Sequence, residues 1–219
     1  TGLALKATPG SGYSYEFEVA GLTAVTSSNF VMQPGPVSQV VIHQQPRTIV
    51  GGITTTMTGE VFNQVAIAHL LDQDNNIVTT VDSGDVTAAI STGSGGTLVS
   101  ASASISNGVA TFTNLRLEGV VETPTQSAET YRLQFSYGGF DSTESDELEV
   151  KHNLATQLTV VQPAIGGRAS AIFTTQPKVR LLDRYGNWVS TGTNVTVQAD
   201  VVDENGVGSP TIVGGDSQT

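Results

Sequence analysis

Tyr131-Arg-Leu-Gln-Phe-Ser-Tyr137 alternates strictly, with Tyr131, Leu133, Phe135 and Tyr137 on one side of an extended chain and Arg132, Gln134 and Ser136 on the other. A period of two marks a strand with one buried face. The pattern also stands 118 positions earlier, where Tyr13, Tyr15, Phe17 and Val19 alternate with Ser14, Glu16 and Glu18. Tyr13 to Val40 aligns without a gap on Tyr131 to Leu158 at that offset, pairing Gly21 with Gly139 and Gln39 with Gln157. The self-match continues downstream. Gln45-Pro46 matches Gln162-Pro163, and Phe62 and Leu70-Leu-Asp72 match Phe173 and Leu181-Leu-Asp183, with Asn76 on Asn187 and Val78 on Val189. The offset falls from 117 to 111 on the way, which places about six extra residues in the Gly- and Thr-rich stretch 51–58 of the earlier copy. Thr1-Gly-Leu-Ala-Leu5 likewise resembles Thr113-Asn-Leu-Arg-Leu117.

A repeat of about 118 residues therefore divides the 219 residues into the C-terminal part of one repeat (1–35), a complete repeat (36–153) and the N-terminal part of a further one (154–219). Gln33-Pro-Gly-Pro36 and Lys151-His-Asn153 form the junctions, the first stiffened by proline. Each end portion is expected to expose unpaired strand edges and half a core. The chain opens on Thr1, not Met, and reads as mature or excised from something longer.

Further strands are expected at Gln39–His43, Val65–Leu71, Ile77–Thr80, Val86–Ile90, Val109–Phe112 and Glu147–Val150, rich in Val, Ile, Thr and aromatics. Asp72-Gln-Asp-Asn-Asn76, Asp183-Arg-Tyr-Gly-Asn187 and Ser106-Asn-Gly108 supply turn chemistry between them. Helical periodicity is absent. About seven short strands per period, repeated in tandem, predict an all-β chain of immunoglobulin-like β-sandwich repeats.

The composition narrows the function classes. Twenty acids against nine bases give a net charge of −11, which disfavours nucleic acid and anionic lipid as partners. There is no cysteine, so disulfides and thiolate chemistry are excluded. Apolar runs such as Val65 to Leu71 are far too short to insert in a membrane as a helix.

Phe173-Thr-Thr-Gln-Pro-Lys-Val-Arg-Leu-Leu-Asp-Arg-Tyr-Gly-Asn-Trp-Val189, with Gln157-Leu-Thr-Val-Val-Gln-Pro163 before it, resembles the start of the bacterial-type immunoglobulin-like (Big or filamin-like) tandem repeats of large cell-surface and filament proteins. Asn107-Gly-Val-Ala-Thr-Phe112, Leu115-Arg-Leu117 and Tyr131-Arg-Leu-Gln-Phe135 look like the second half of such a repeat. The earlier copy departs from the pattern, with Val65-Ala66 in place of Gln-Pro and Asp74-Asn75 in place of an aromatic and Gly. The resemblance implies an extracellular or cell-surface stalk, rod or filament without catalysis, whose partners are neighbouring repeats and other copies in an assembly. Two alternatives are an adhesive module that binds glycans or proteins through its variable loops, and accessory domains of a large secreted enzyme.

Candidate chemistry is sparse. His43, His69 and His152 accompany no hydrolase or metalloprotease motif, so no catalytic residue and no cofactor are assigned. Gly93-Ser-Gly-Gly96 reads as a flexible turn. Asp72, Asp74 and Asn76, with Asp82 and Asp85 following, offer oxygen ligands for calcium. The repeat partner keeps Asp183 and Asn187 but carries Tyr185 in place of Asp74, which favours a turn whose Asp side chain caps its own backbone, so no metal site is assigned. The acidic run from Glu144 to Glu149 is read as a solvated face with Leu148 and Val150 inward. Asn194-Val-Thr196 is an N-glycosylation sequon, making Asn194 the one candidate modification site. Trp188 is read as a cap on the core beside Val189, with stacking on a sugar ring as the alternative. A lysine–asparagine crosslink is closed to the complete repeat, which has no Lys before Lys151.

Overall fold

The computed structural model describes residues 2–50, 53, 54, 56–119, 129–168, 170–189, 196–200, 217 and 218. Every regular element among them is a β-strand, so the fold is all-β. Two compact units divide the chain, residues 1–153 and 154–219.

Within the first unit one ladder runs, in order of pairing, through Gln39–Gln44, Ala66–Leu71, Val109–Phe112, Ser102–Ser106, Asp85–Thr92, Glu129–Tyr137, Leu148–Lys151 and Thr56–Met57. Its neighbours are antiparallel except the last pair, where Val150 and Lys151 run parallel to Thr56 and Met57. Strict alternation buries one face of each strand: Ala66, Ala68 and Leu70, then Ala110 and Phe112, then Tyr131, Leu133 and Phe135. The ladder bends until its early and late strands share one core. The Phe112 and Phe135 rings meet edge to face at 5.0 Å although two strands separate them along the ladder. Near the open side, the Asp146 amide donates to Gln45 Oε1 at 3.0 Å and Arg47 pairs with Asp146. Phe62, Leu115 and Leu117 complete the core.

Hydroxyls replace a missing strand along part of Glu129–Tyr137. Residues 142–147 are not a strand, yet Ser145 Oγ accepts the Leu133 amide at 2.9 Å and Ser142 Oγ the Phe135 amide at 3.0 Å. Both serines are buried, so the inner strand leaves neither amide orphaned. Leu148 and Val150 point inward from the acidic run while Glu147 and Glu149 stay exposed.

The Gly93–Gly96 loop is a fitted seat, contrary to its reading as a flexible turn. Tyr131 is fully buried and donates its hydroxyl to Ser94 O at 2.6 Å. Gly93 has φ +111°, and a Cβ there would stand 2.4 Å from the Tyr131 ring, so only glycine fits. Burial, together with the nearby Glu129 charge, raises the Tyr131 hydroxyl to about 12. The expected strand at Ile77–Thr80 is reduced to a single bridge, Leu71 to Ile77, because the Asp72 turn brings the chain back on itself there. Ser102–Ser106 is a strand that β-propensity did not mark, since it alternates Ser with Ala and Ile.

Residues 2–35 carry two nested antiparallel pairs, Gly10–Tyr13 with Phe30–Met32 enclosing Glu16–Phe17 with Val25–Thr26. Tyr15 stacks on Phe30 at 4.8 Å. In the second unit, Ala155–Gln162 pairs with Lys178–Asp183. Positions aligned by the sequence self-match differ sharply in burial: Phe135 is 0% exposed and Phe17 62%, while Phe62 is 1% exposed and Phe173 44%.

Phe135→Ala is expected to lower the unfolding free energy by about 3–5 kcal/mol. Phe17→Ala, at the matching but exposed position, should change it by less than about 0.5 kcal/mol. Chemical denaturation of both variants checks this, and equal effects would contradict the burial pattern.

Candidate functional site

Two clusters in the first unit gather polar chemistry: the turn at Asp72 and the paired histidines on the outer face of the ladder.

Asp72 is buried and its carboxylate is crowded with donors. Oδ1 accepts the amides of Asp74 and Asn76, both at 2.9 Å, and the Asn76 side-chain amide at 3.2 Å. Oδ2 accepts the same side-chain amide at 3.1 Å and the Gly35 amide at 2.9 Å. Backbone bonds close the turn, from the Asp72 amide to Asn76 O and from the Asn75 amide to Asp72 O. Asn75 takes φ 64°, the left-handed conformation that Asn tolerates, and Gly186 takes φ 85° at the matching position.

Asp183 builds the same turn. Its Oδ1 accepts the Tyr185 amide at 2.8 Å and the Asn187 amide at 3.0 Å, and its Oδ2 accepts the Asn187 side chain at 3.1 Å. Burial works against ionisation of Asp72, but the donors of Asn76, Gly35 and Asp74 outweigh it and hold the carboxyl at about 2. The acids considered as calcium ligands have separate partners. Asp74 pairs with Lys6, Asp82 Oδ1 accepts the Asn107 amide, and Asp85 Oδ1 accepts the Ser104 hydroxyl. Among the described residues no three His, Asp or Glu side chains converge as metal ligands.

His43 and His69 come together only through strand register. Val41 pairs with His69, and His69 with Val109, so these side chains share the outward face. The two imidazoles stack at 4.0 Å with 13° between their planes. Twenty-six residues of sequence separate them, and nothing short of the pairing register of Gln39–Gln44 on Ala66–Leu71 reveals the contact. Burial first, and the neighbouring His43 second, lower the His69 pKa from 6.5. His152 is at the other junction, its Nδ1 2.9 Å from Asn153 O.

In the second unit Trp188 is half-buried and bridges to Leu182, with the Arg180 guanidinium 4.0 Å above its ring centre. That cation covers one ring face, the surface that sugar stacking would use. Asn194 lies outside the described residues, as do residues 120–128 and Gly51, Gly52 and Thr55 of 51–58.

Comparison with known proteins adds little. No protein-family model and no curated protein matches the chain. Among solved structures, a structure of surface layer protein SbsC, domains 4–9, is similar at 18% identity and TM-score 0.30, over 90% of this chain and 28% of that one. The chain thus spans just over a quarter of the length of that structure.

Because the His69 pKa is lowered on folding, the unfolded chain takes up the proton first. The contribution of His69 is complete above pH 6.5 and is lost as pH falls through its lower folded value. Asp72 behaves alike in a different window: its contribution is present above pH 3.8 and is lost as pH falls towards about 2. Urea midpoints should therefore decline from pH 7.5 to pH 5, and His69→Gln should flatten that decline. An unchanged slope in His69→Gln would contradict the assignment.

Proposed function

We propose that the chain is a structural segment, a stalk, rod or filament, of an extracellular or cell-surface repeat protein, built from tandem immunoglobulin-like β-sandwich repeats and without catalysis of its own. One observation carries this reading. The Asp72 and Asp183 turns, 111 residues apart in different compact units, have the same three side-chain and two backbone hydrogen bonds. A chain that rebuilds one turn in successive units is behaving as a repeat array, in which each unit is one bead of a quasi-linear structure.

The curled ladder of residues 36–153, closed over a core shared by its early and late strands, supports a sandwich as the bead. Gln39–Gln44 begins the ladder and Leu148–Lys151 stands next to its other end, so force applied through the chain loads most of the sheet. A composition rich in Ser and Thr, with only 13% charged residues, suits an extracellular rod whose contacts are mainly with other repeats.

Single-molecule pulling tests the reading. Residues 36–153 should unfold in one discrete event that releases about 400 Å of contour length, from roughly 3.4 Å per extended residue. Smooth extension with no discrete event would contradict it.

A further inference from the structure

The Asp72 turn carries one donor that its own closure does not need. Four contacts to the carboxylate and two backbone bonds within residues 72–76 already define it, and the Gly35 amide arrives from outside. That amide comes from Gln33-Pro-Gly-Pro36, where both prolines lack an N–H, so Gly35 holds the only backbone donor between Gln33 and Val37. The prolines also restrict the residues that precede them, so the junction has few soft dihedrals left. Capture of its single donor by a buried carboxylate removes much of the remaining freedom, because a bond to an ionised acceptor is stronger than a neutral one.

Other contacts converge on the same turn. Lys6 pairs with Asp74, and Leu5, Ala7, Met32 and Pro36 line a cleft of about 320 Å³ beside Asp72. The Lys6 side chain is 78% exposed, so its ion pair is a weak tether in water. The half-buried bond from Gly35 to the ionised, buried Asp72 carboxylate is the stronger tether. At Gly35 a Cβ would stand 3.4 Å from Asp72 Cβ, which is ordinary contact and leaves room for alanine.

We propose that Asp72 is the positioning residue of this junction: its carboxylate clasps Gly35 and fixes residues 2–35 against the 36–153 body, which sets the stiffness of the chain between consecutive repeats. The proposal rests on the repeat reading for its mechanical meaning, while the clasp itself is local. Asp72→Asn turns an amide against either the Gly35 N–H or the turn amides, and so opposes one donor set whichever way it faces.

The chain has no cysteine, so spin labels placed at Thr26→Cys and Ser104→Cys report only the chosen pair. Both labels lie in the first unit, one in each portion that the clasp joins. Pulsed dipolar spectroscopy on the full 219-residue chain should give a narrow distance distribution that roughly doubles in width in Asp72→Asn, as expected when a local restraint is lost. Gly35→Ala, Asp74→Ala and Asp183→Asn should leave the width near that of the parent. A broad parent distribution, or an unchanged width in Asp72→Asn, overturns the clasp. Should Asp72→Asn fail to fold, the parent decides: its Gly35 amide must exchange at least about 100-fold more slowly than an open chain, and an unprotected amide overturns the proposal. Smooth extension under force together with a narrow, Asp72-dependent distance would remove the rod reading and leave the clasp standing.

Discussion

Phe112 and Phe135 can touch only if the ladder between them curves into a closed layer, and the rest of the first unit depends on that contact. The two rings come from strands separated by Ser102–Ser106 and Asp85–Thr92, so their meeting makes one core from residues before and after the 120s. The alanines among the buried set, Ala66, Ala68, Ala88, Ala103 and Ala110, leave volume for Phe62, Phe112, Tyr131 and Phe135. Dense packing of unequal side chains is what makes such a layer specific. Phe17 and Phe173, which the sequence self-match aligns with Phe135 and Phe62, are exposed instead.

Closing a ladder leaves backbone groups at its corners, and this chain satisfies them with short polar side chains. Asp72 and Asp183 take turn amides, Ser142 and Ser145 take strand amides, and Asn63 both donates to and accepts from the backbone of Ile49. An unpaired amide in a closed site costs about 1–3 kcal/mol, so each substitute partner matters. The abundance of Ser, Thr, Asn and Asp is therefore part of the architecture, in addition to its effect on the surface. The clasp of Gly35 by Asp72 extends the same device from the interior of a unit to its junction.

Strand alternation at Tyr131–Tyr137 and the turn at Asp72–Asn76 were legible because their signals are local: a period of two, and an Asp whose side chain can reach amides two and four residues on. The repeat partner sharpened the second by replacing Asp74 with Tyr185 while keeping Asp and Asn at the ends. What escaped depends on distant partners. Gly93–Gly96 reads as flexible until Tyr131 is seen filling the space a side chain would need. The stacking of His43 on His69 follows from a register with a bulge between Ile42 and Gln44, which spacing does not encode. Ser102–Ser106 lacks the bulky residues that mark strands, and its place between two stronger strands makes it one. The clasp joins residues 37 positions apart and carries no motif at either end.

Native-state hydrogen exchange measures most directly whether early and late strands share one cooperative core. The account predicts that the amides of Ala68, Ala88, Ala110 and Leu133 exchange only through a common global opening, with one shared free energy. Tyr15 and Val179, which the sequence self-match aligns with Leu133 and Ala68, should exchange much faster. Separate opening energies for Ala68 and Leu133, or equal protection at Tyr15 and Leu133, would contradict it.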